Sequence, residues 1–168
     1  MRTLRYALLA VALIFGLLLT GCSGTQTPTP ITKAAAPSNP NYTIDMAADH
    51  HLNGLSLNEG QTVLLKNMQP STDPITIAGS GNGYNVYVEG DLPAGANLAV
   101  YGARVHVVVS GNIVQGAAVT MQGDMSELTV EGNIDDLTII NIGGKNAKIL
   151  TGFPKSDQTK KYADTIVP

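Results

Sequence analysis

The stretch Val86-Tyr87-Val88-Glu89-Gly90-Asp91-Leu92 returns at a spacing of 21 as Val107-Val108-Val109-Ser110-Gly111-Asn112-Ile113. It returns again as Leu128-Thr129-Val130-Glu131-Gly132-Asn133-Ile134. Each copy places apolar side chains two positions apart, which puts them on one face of a strand because side chains alternate along it. Each copy then meets a glycine followed by Asp or Asn. Glycine suits a corner that needs positive φ, and the Asx side chain can bond neighbouring backbone.

Working outward, the shorter pattern apolar-x-apolar-x-Gly recurs at Ile75/Ile77/Gly79, Val86/Val88/Gly90, Leu98/Val100/Gly102 and Val107/Val109/Gly111. It continues at Val119/Met121/Gly123, Leu128/Val130/Gly132 and Ile140/Ile142/Gly144, and Ile149/Thr151 keeps the strand but lacks the glycine. The start-to-start spacings are 11, 12, 9, 12, 9, 12 and 9, so from Val86 the chain has a 21-residue period holding two strands. Val86, Val107, Leu128 and Ile149 form one column, and Leu98, Val119 and Ile140 another. An antiparallel sandwich or meander also uses short strands and frequent turns, but it has no reason to hold Gly, Asx and apolar positions in a 21-residue register. The expected fold is all-β, a small right-handed parallel β-solenoid in which each turn stacks on the one before. Four to five rungs would rise roughly 20–25 Å.

Residues 86–150 resemble the glycine-punctuated solenoids of bactofilins and of bacterial polymer-forming repeat proteins. The resemblance rests on Val88-Glu89-Gly90-Asp91-Leu92-Pro93-Ala94-Gly95-Ala96 and its echoes at Ser110-Gly111-Asn112-Ile113 and Glu131-Gly132-Asn133-Ile134. It implies the fold and not a cytoskeletal role, since bactofilins are cytoplasmic filament formers.

A second resemblance lies at the other end. Arg2 and Arg5 precede an apolar run over residues 6–20, and Leu19-Thr20-Gly21-Cys22 closes it. This resembles a bacterial lipoprotein signal peptide, in which a peptidase cuts before the cysteine and the thiol carries the lipid. The resemblance implies that Cys22 is a lipidated N-terminus, and that Ser23, standing where Asp would signal inner-membrane retention, directs the protein to the outer membrane of a two-membrane cell. A membrane-spanning helix needs about 20 apolar residues, more than this run offers. Cys22 is the only cysteine, so it has no disulfide partner within the chain.

Cleavage there would leave 8 basic and 13 acidic residues, a net charge of −5, which argues against nucleic acid as a partner. With no Trp and two Phe, small and β-branched residues must build the core. Residues 23–41 carry Thr25, Thr27, Pro28, Pro30, Pro37 and Pro40 with almost no charge, a composition for an extended, solvated tether.

Few residues invite chemistry. Asp45, Asp49, His50 and His51 are the nearest approach to a metal cluster, but adjacent histidines on a strand face opposite ways and the third, His106, lies far along the chain. Asp135-Asp136 are neighbours in a corner, whereas glycoside chemistry needs carboxylates facing across a cleft. No phosphate loop, nucleophile elbow or metalloprotease motif is present, so neither an enzyme nor a cofactor or metal is expected. Tyr87, Val108, Thr129 and Leu150 stack on one outward column, a candidate partner strip that is equally what β-propensity places on a strand surface. Lys145, Lys148, Lys155, Lys160 and Lys161 give the C-terminal part a basic bias that a solvated tail explains.

The expected organisation is a signal peptide over residues 1–21, the lipidated cysteine and tether over 22–41, an N-terminal cap and first strands over 42–74, the solenoid over 75–152 and a C-terminal cap or tail over 153–168. Leu55, Leu57, Val63 and Leu65 would cover one end of the column and Phe153-Pro154 the other, keeping it monomeric; the alternative is an end left free, on which copies polymerise end to end. The expected function is a non-catalytic structural or interaction role in the cell envelope, with the membrane as one partner and an envelope protein or glycan as another. A carbohydrate-binding or carbohydrate-modifying β-helix is the alternative, and Tyr84, Tyr87 and Tyr101 are the aromatic residues that could serve it.

Overall fold

The computed structural model describes residues 33–48, 52–151 and the backbone of 166–167. Among these residues every regular element is a strand: β1 (Tyr42–Asp45), β2 (Asn53–Leu57), β3 (Thr62–Lys66), β4 (Ile75–Gly79), β5 (Asn85–Val88) and β6 (Asn97–Tyr101). Then follow β7 (His106–Val109), β8 (Ala118–Gln122), β9 (Glu127–Val130), β10 (Ile139–Gly143), β11 (Lys148–Thr151) and β12 (Ile166–Val167). Odd-numbered strands and β12 make one parallel sheet in the order β1-β3-β5-β7-β9-β11-β12, which we term sheet A. Even-numbered strands make sheet B in the order β10-β8-β6-β4-β2. Every strand pairs with the one a full turn away, so the chain is a parallel β-solenoid of about five turns.

The columns read from the sequence are the observed registers. Val86 pairs with Val107, Val107 with Leu128 and Leu128 with Ile149, each at the 21-residue spacing. On sheet B, Leu98 pairs with Val119 and Val119 with Ile140. A third seam consists of single-residue parallel bridges from Leu92 to Ile113 and from Ile113 to Ile134. The three columns converge on one core: Val86, Val107, Val109, Leu92, Ile113, Leu98, Val119 and Leu128 are all fully buried.

The Gly-Asx corner works differently from its sequence reading. Gly90 has positive φ (83°), but Gly111 and Gly132 do not. Those two are needed for close approach. A Cβ on Gly111 would lie 2.3 Å from Asp91 Oδ1 and 2.5 Å from the Gly90 carbonyl carbon, and one on Gly132 would lie 2.5 Å from the Gly111 carbonyl carbon. The Asx side chains form a ladder through the space this opens. Asn112 N donates to Asp91 Oδ1 at 2.7 Å, and Asn133 N donates to Asn112 Oδ1 at 2.8 Å.

The regular column also begins earlier than expected. Within residues 42–74, expected to hold the N-terminal cap and first strands, full rungs already form: Val63 of β3 pairs with Tyr42 below it and with Val86 above it, at spacings of 21 and 23. The 23-residue turn holds the loop that carries Tyr84. This side chain is 3% exposed and fills the gap between Gly79 and Gly102. At the far end, Ile166 and Val167 pair in parallel with Ile149 and Leu150, so the C-terminus adds a strand to sheet A. Phe153 and Pro154, the expected cap, lie outside the described residues.

Candidate functional site

Sheet A presents three outward columns. The central one is Leu64, Tyr87, Val108, Thr129 and Leu150, stacked by the register of β3, β5, β7, β9 and β11. One flank carries Thr62, Asn85, His106, Glu127 and Lys148; the other carries Lys66, Glu89, Ser110 and Glu131. The flanks are held by polar contacts along the column axis. Lys66 Nζ lies 3.2 Å from Glu89 Oε2, Lys148 Nζ 2.6 Å from Glu127 Oε2 and His106 Nε2 3.1 Å from Glu127 Oε1, with Thr129 Oγ1 3.2 Å from the same His106 nitrogen. Pairs this accessible contribute at most about 1 kcal/mol each, so they fix geometry more than they stabilise. The result is a gutter with a mostly apolar floor and polar rails.

The floor is not open. Strands with one wet face alternate buried and exposed residues, and β10 of sheet B does, with Ile139 and Asn141 exposed around buried Ile140. In β5, β7 and β9 the last three residues are all buried, and the outward members Tyr87, Val108 and Thr129 are 6–7% exposed. Part of the cover over Tyr87 and Val108 is the chain's own residue 34. Ala34 packs on Leu64, Tyr87 and Val108, its N–H donates to Glu131 Oε1, and its carbonyl accepts from the Tyr87 hydroxyl at 3.3 Å. The segment then joins β1, where Asn41 N donates to Thr62 O at 2.9 Å. The sequence placed Tyr87, Val108, Thr129 and Leu150 on the outer face, where they are, but gave no sign that residues 33–41 lie along it. Leu150 is half-buried at the end of the strip.

The other candidates are placed apart. Cys22 and the residues around it, Asp49, His50 and His51 lie outside the described residues. Asp45 accepts from Asn67 Nδ2 and Ala47 N, both at 3.0 Å, and these bonds hold its carboxyl below the usual carboxylate range. Asp135 accepts from Asn133 Nδ2 at 3.0 Å, within the corner ladder, and Asp136 is exposed. Tyr84 is not available as an aromatic platform. Its hydroxyl donates to Tyr101 O at 2.9 Å with Ile77 O at 3.2 Å, and burial pushes the phenol up to about 12. Tyr87 lies under Ala34, and Tyr101 alone of the three is well exposed, at 39%. A shallow cleft of about 320 Å³ is lined by Pro70, Ser71, Thr72 and Gly95 and brings no titratable group together. Among the described residues no group of three or more His, Cys, Asp or Glu is placed to hold a metal, and no helix is long and apolar enough to cross a membrane.

No protein-family model, no curated protein and no solved structure matches this chain.

Proposed function

We propose that this chain is a lipid-anchored extracytoplasmic protein whose solenoid serves as a rigid, non-catalytic interaction or structural element of the cell envelope. The observation that carries the reading is Leu19-Thr20-Gly21-Cys22 behind a short apolar run, with Cys22 the single cysteine of the chain. An anchor of several acyl chains holds durably, at roughly 0.8 kcal/mol per buried CH₂. The column supports the second half of the proposal. Its carboxylates at Asp45, Asp91, Glu127 and Asp135 are engaged in bonds that hold turns and rungs. A stack with every strand paired to the next is stiff along its axis, as a spacer or display surface requires.

The glycan-binding alternative loses Tyr84 to the core and has no second observation in its favour. The anchor is tested by Cys22→Ser. The variant is expected to leave the membrane fraction or to accumulate uncleaved, and to lose incorporation of radiolabelled palmitate. A Cys22→Ser protein that fractionates and matures as the parent does would refute the anchor.

A further inference from the structure

We infer that the gutter on sheet A is the seat of the chain's own Pro/Ala segment, residues 33–40, which docks in cis as a strap and sets the free length of the tether. Over Lys33-Ala34-Ala35-Ala36-Pro37-Ser38-Asn39-Pro40, only Ala34, Pro37 and Pro40 are partly shielded, and the five others are exposed. The segment forms no regular element and bends at Ser38 and Asn39.

The seat has the chemistry that such a segment needs. A segment outside any strand or helix leaves its backbone groups free, so it docks through apolar contact and through polar groups that bond its backbone. Tyr87 supplies the ring and a hydroxyl bonded to Ala34 O; Glu131 on the flanking column supplies the acceptor for Ala34 N. Small side chains are required on the strap because the floor is nearly flat, with Val108 and Thr129 beside Tyr87. The strap runs along the column axis, from β1 at Asn41 to the rung of β9 at Glu131. Glu131 Oε2 is buried without a partner, and a covered carboxylate oxygen without a donor costs free energy that opposes closure.

The consequence for the tether rests on the lipid-anchor reading. With the strap released, the whole of residues 23–41 can span from Cys22 to β1; with it docked, only residues 23–32 lie between Cys22 and the strap. At about 3.4 Å per residue the maximum reach falls from about 65 Å to about 35 Å. Docking would therefore halve the distance at which the column can stand from its anchor.

Trypsin reads the strap directly, because it cuts after Lys33 and must take Ala34 out of its seat. The full chain, purified in detergent, should be cut at Lys33 at least about tenfold more slowly than a synthetic peptide of residues 28–40. The slowing should be unchanged on hundredfold dilution. Tyr87→Ala on the outer face of the sheet, and Pro37→Asp on the strap itself where it cannot unfold the column, should each restore cutting toward the peptide rate. Micelle shielding would persist in both variants, so persistence overturns the proposal. So does cutting of the parent chain at the peptide rate, and so does protection lost on dilution, which would mean that a second copy's segment fills the seat. Cys22→Ser, which tests the anchor, should leave the protection intact, so the two readings fail separately.

Discussion

The turns before Tyr84 and those after it solve the same stacking problem by different means. From Asn85 to Thr151 successive turns keep the 21-residue spacing and repeat their parts: apolar columns in register, a glycine under each close approach and an Asp91-Asn112-Asn133 ladder at the corner. The turn from β3 to β5 is two residues longer, and β2 carries an irregularity between Asn53 and Leu55 where it meets β4. There one large side chain, Tyr84, occupies the position that Val105, Ser126 and Ala147 hold in later turns. Its hydroxyl ties β4 to β6 through Ile77 O and Tyr101 O. Repetition makes each regular turn dependent on backbone contact with its neighbour; the irregular turn depends on a single buried group.

The regular part should break most sharply at its glycines. A Cβ on Gly123 would lie 1.8 Å from Gly102 O, an atom that cannot move without shifting a whole turn, whereas one on Gly143 would meet nothing within 4 Å. Gly123→Ala is expected to cost about 2–4 kcal/mol. Gly143→Ala, at a site with ordinary φ, should be neutral or stabilising by about 0.5 kcal/mol. Urea unfolding of the two variants measures the contrast, and equal midpoints would mean that backbone stacking does not limit the regular turns.

The irregular part should instead show a pH signature. Burial holds the Tyr84 phenol at about 12, while an unfolded chain titrates near 10, so the folded state keeps its proton more tightly. Stability tied to this group is complete below pH 10 and falls as pH rises through 12, by about 2–3 kcal/mol in all. Tyr84→Phe should cost about 1 kcal/mol at neutral pH through the lost hydrogen bonds and should flatten the alkaline decline. Unfolding free energies of both proteins between pH 9 and 12 would show it, and parallel curves would move the decline to other groups.

This contrast also explains what could be read from the chain. Columns from Val86 onward were legible because each turn repeats the spacing of apolar, Gly and Asx residues. The rungs at β1 and β3 were not, since Thr43, Leu64 and their neighbours carry no closing glycine and the next turn breaks the 21-residue spacing. Tyr84 gave no sign of burial, because a tyrosine in a Gly81-Asn82-Gly83 loop looks like a surface residue until the insertion is seen to fold inward. The glycines at 111 and 132 were found for the wrong reason: their neighbours in sequence suggested a turn conformation, while their neighbours in space forbid a Cβ. The strip itself was found by alternation alone. Its cover was hidden because Ala34, Pro37 and Pro40 have a period of three, which marks neither strand nor helix, and nothing local says where such a segment docks.

The smallest expected effect concerns the one regular turn that departs from its own pattern. Gly95 and Gly116 have φ of 78° and 84°, and one period later the chain places Leu137 at φ 63°. A left-handed conformation costs a side-chain-bearing residue roughly 1–2 kcal/mol because Cβ crowds the following carbonyl, and Leu137 recovers little by packing, being 51% exposed. The flexible glycine loses more entropy on folding, which offsets part of the gain. Leu137→Gly should therefore stabilise the protein by about 0.5–1 kcal/mol, whereas Gly123→Ala destabilises it. Leu137→Ala separates the two contributions: it trims the same exposed side chain but keeps the Cβ, so it should gain nothing. If thermal unfolding shows Leu137→Ala and Leu137→Gly to be equally stabilising, exposure of the leucine and not its backbone conformation is what this turn suffers from, and the glycine column at this corner is a matter of space alone.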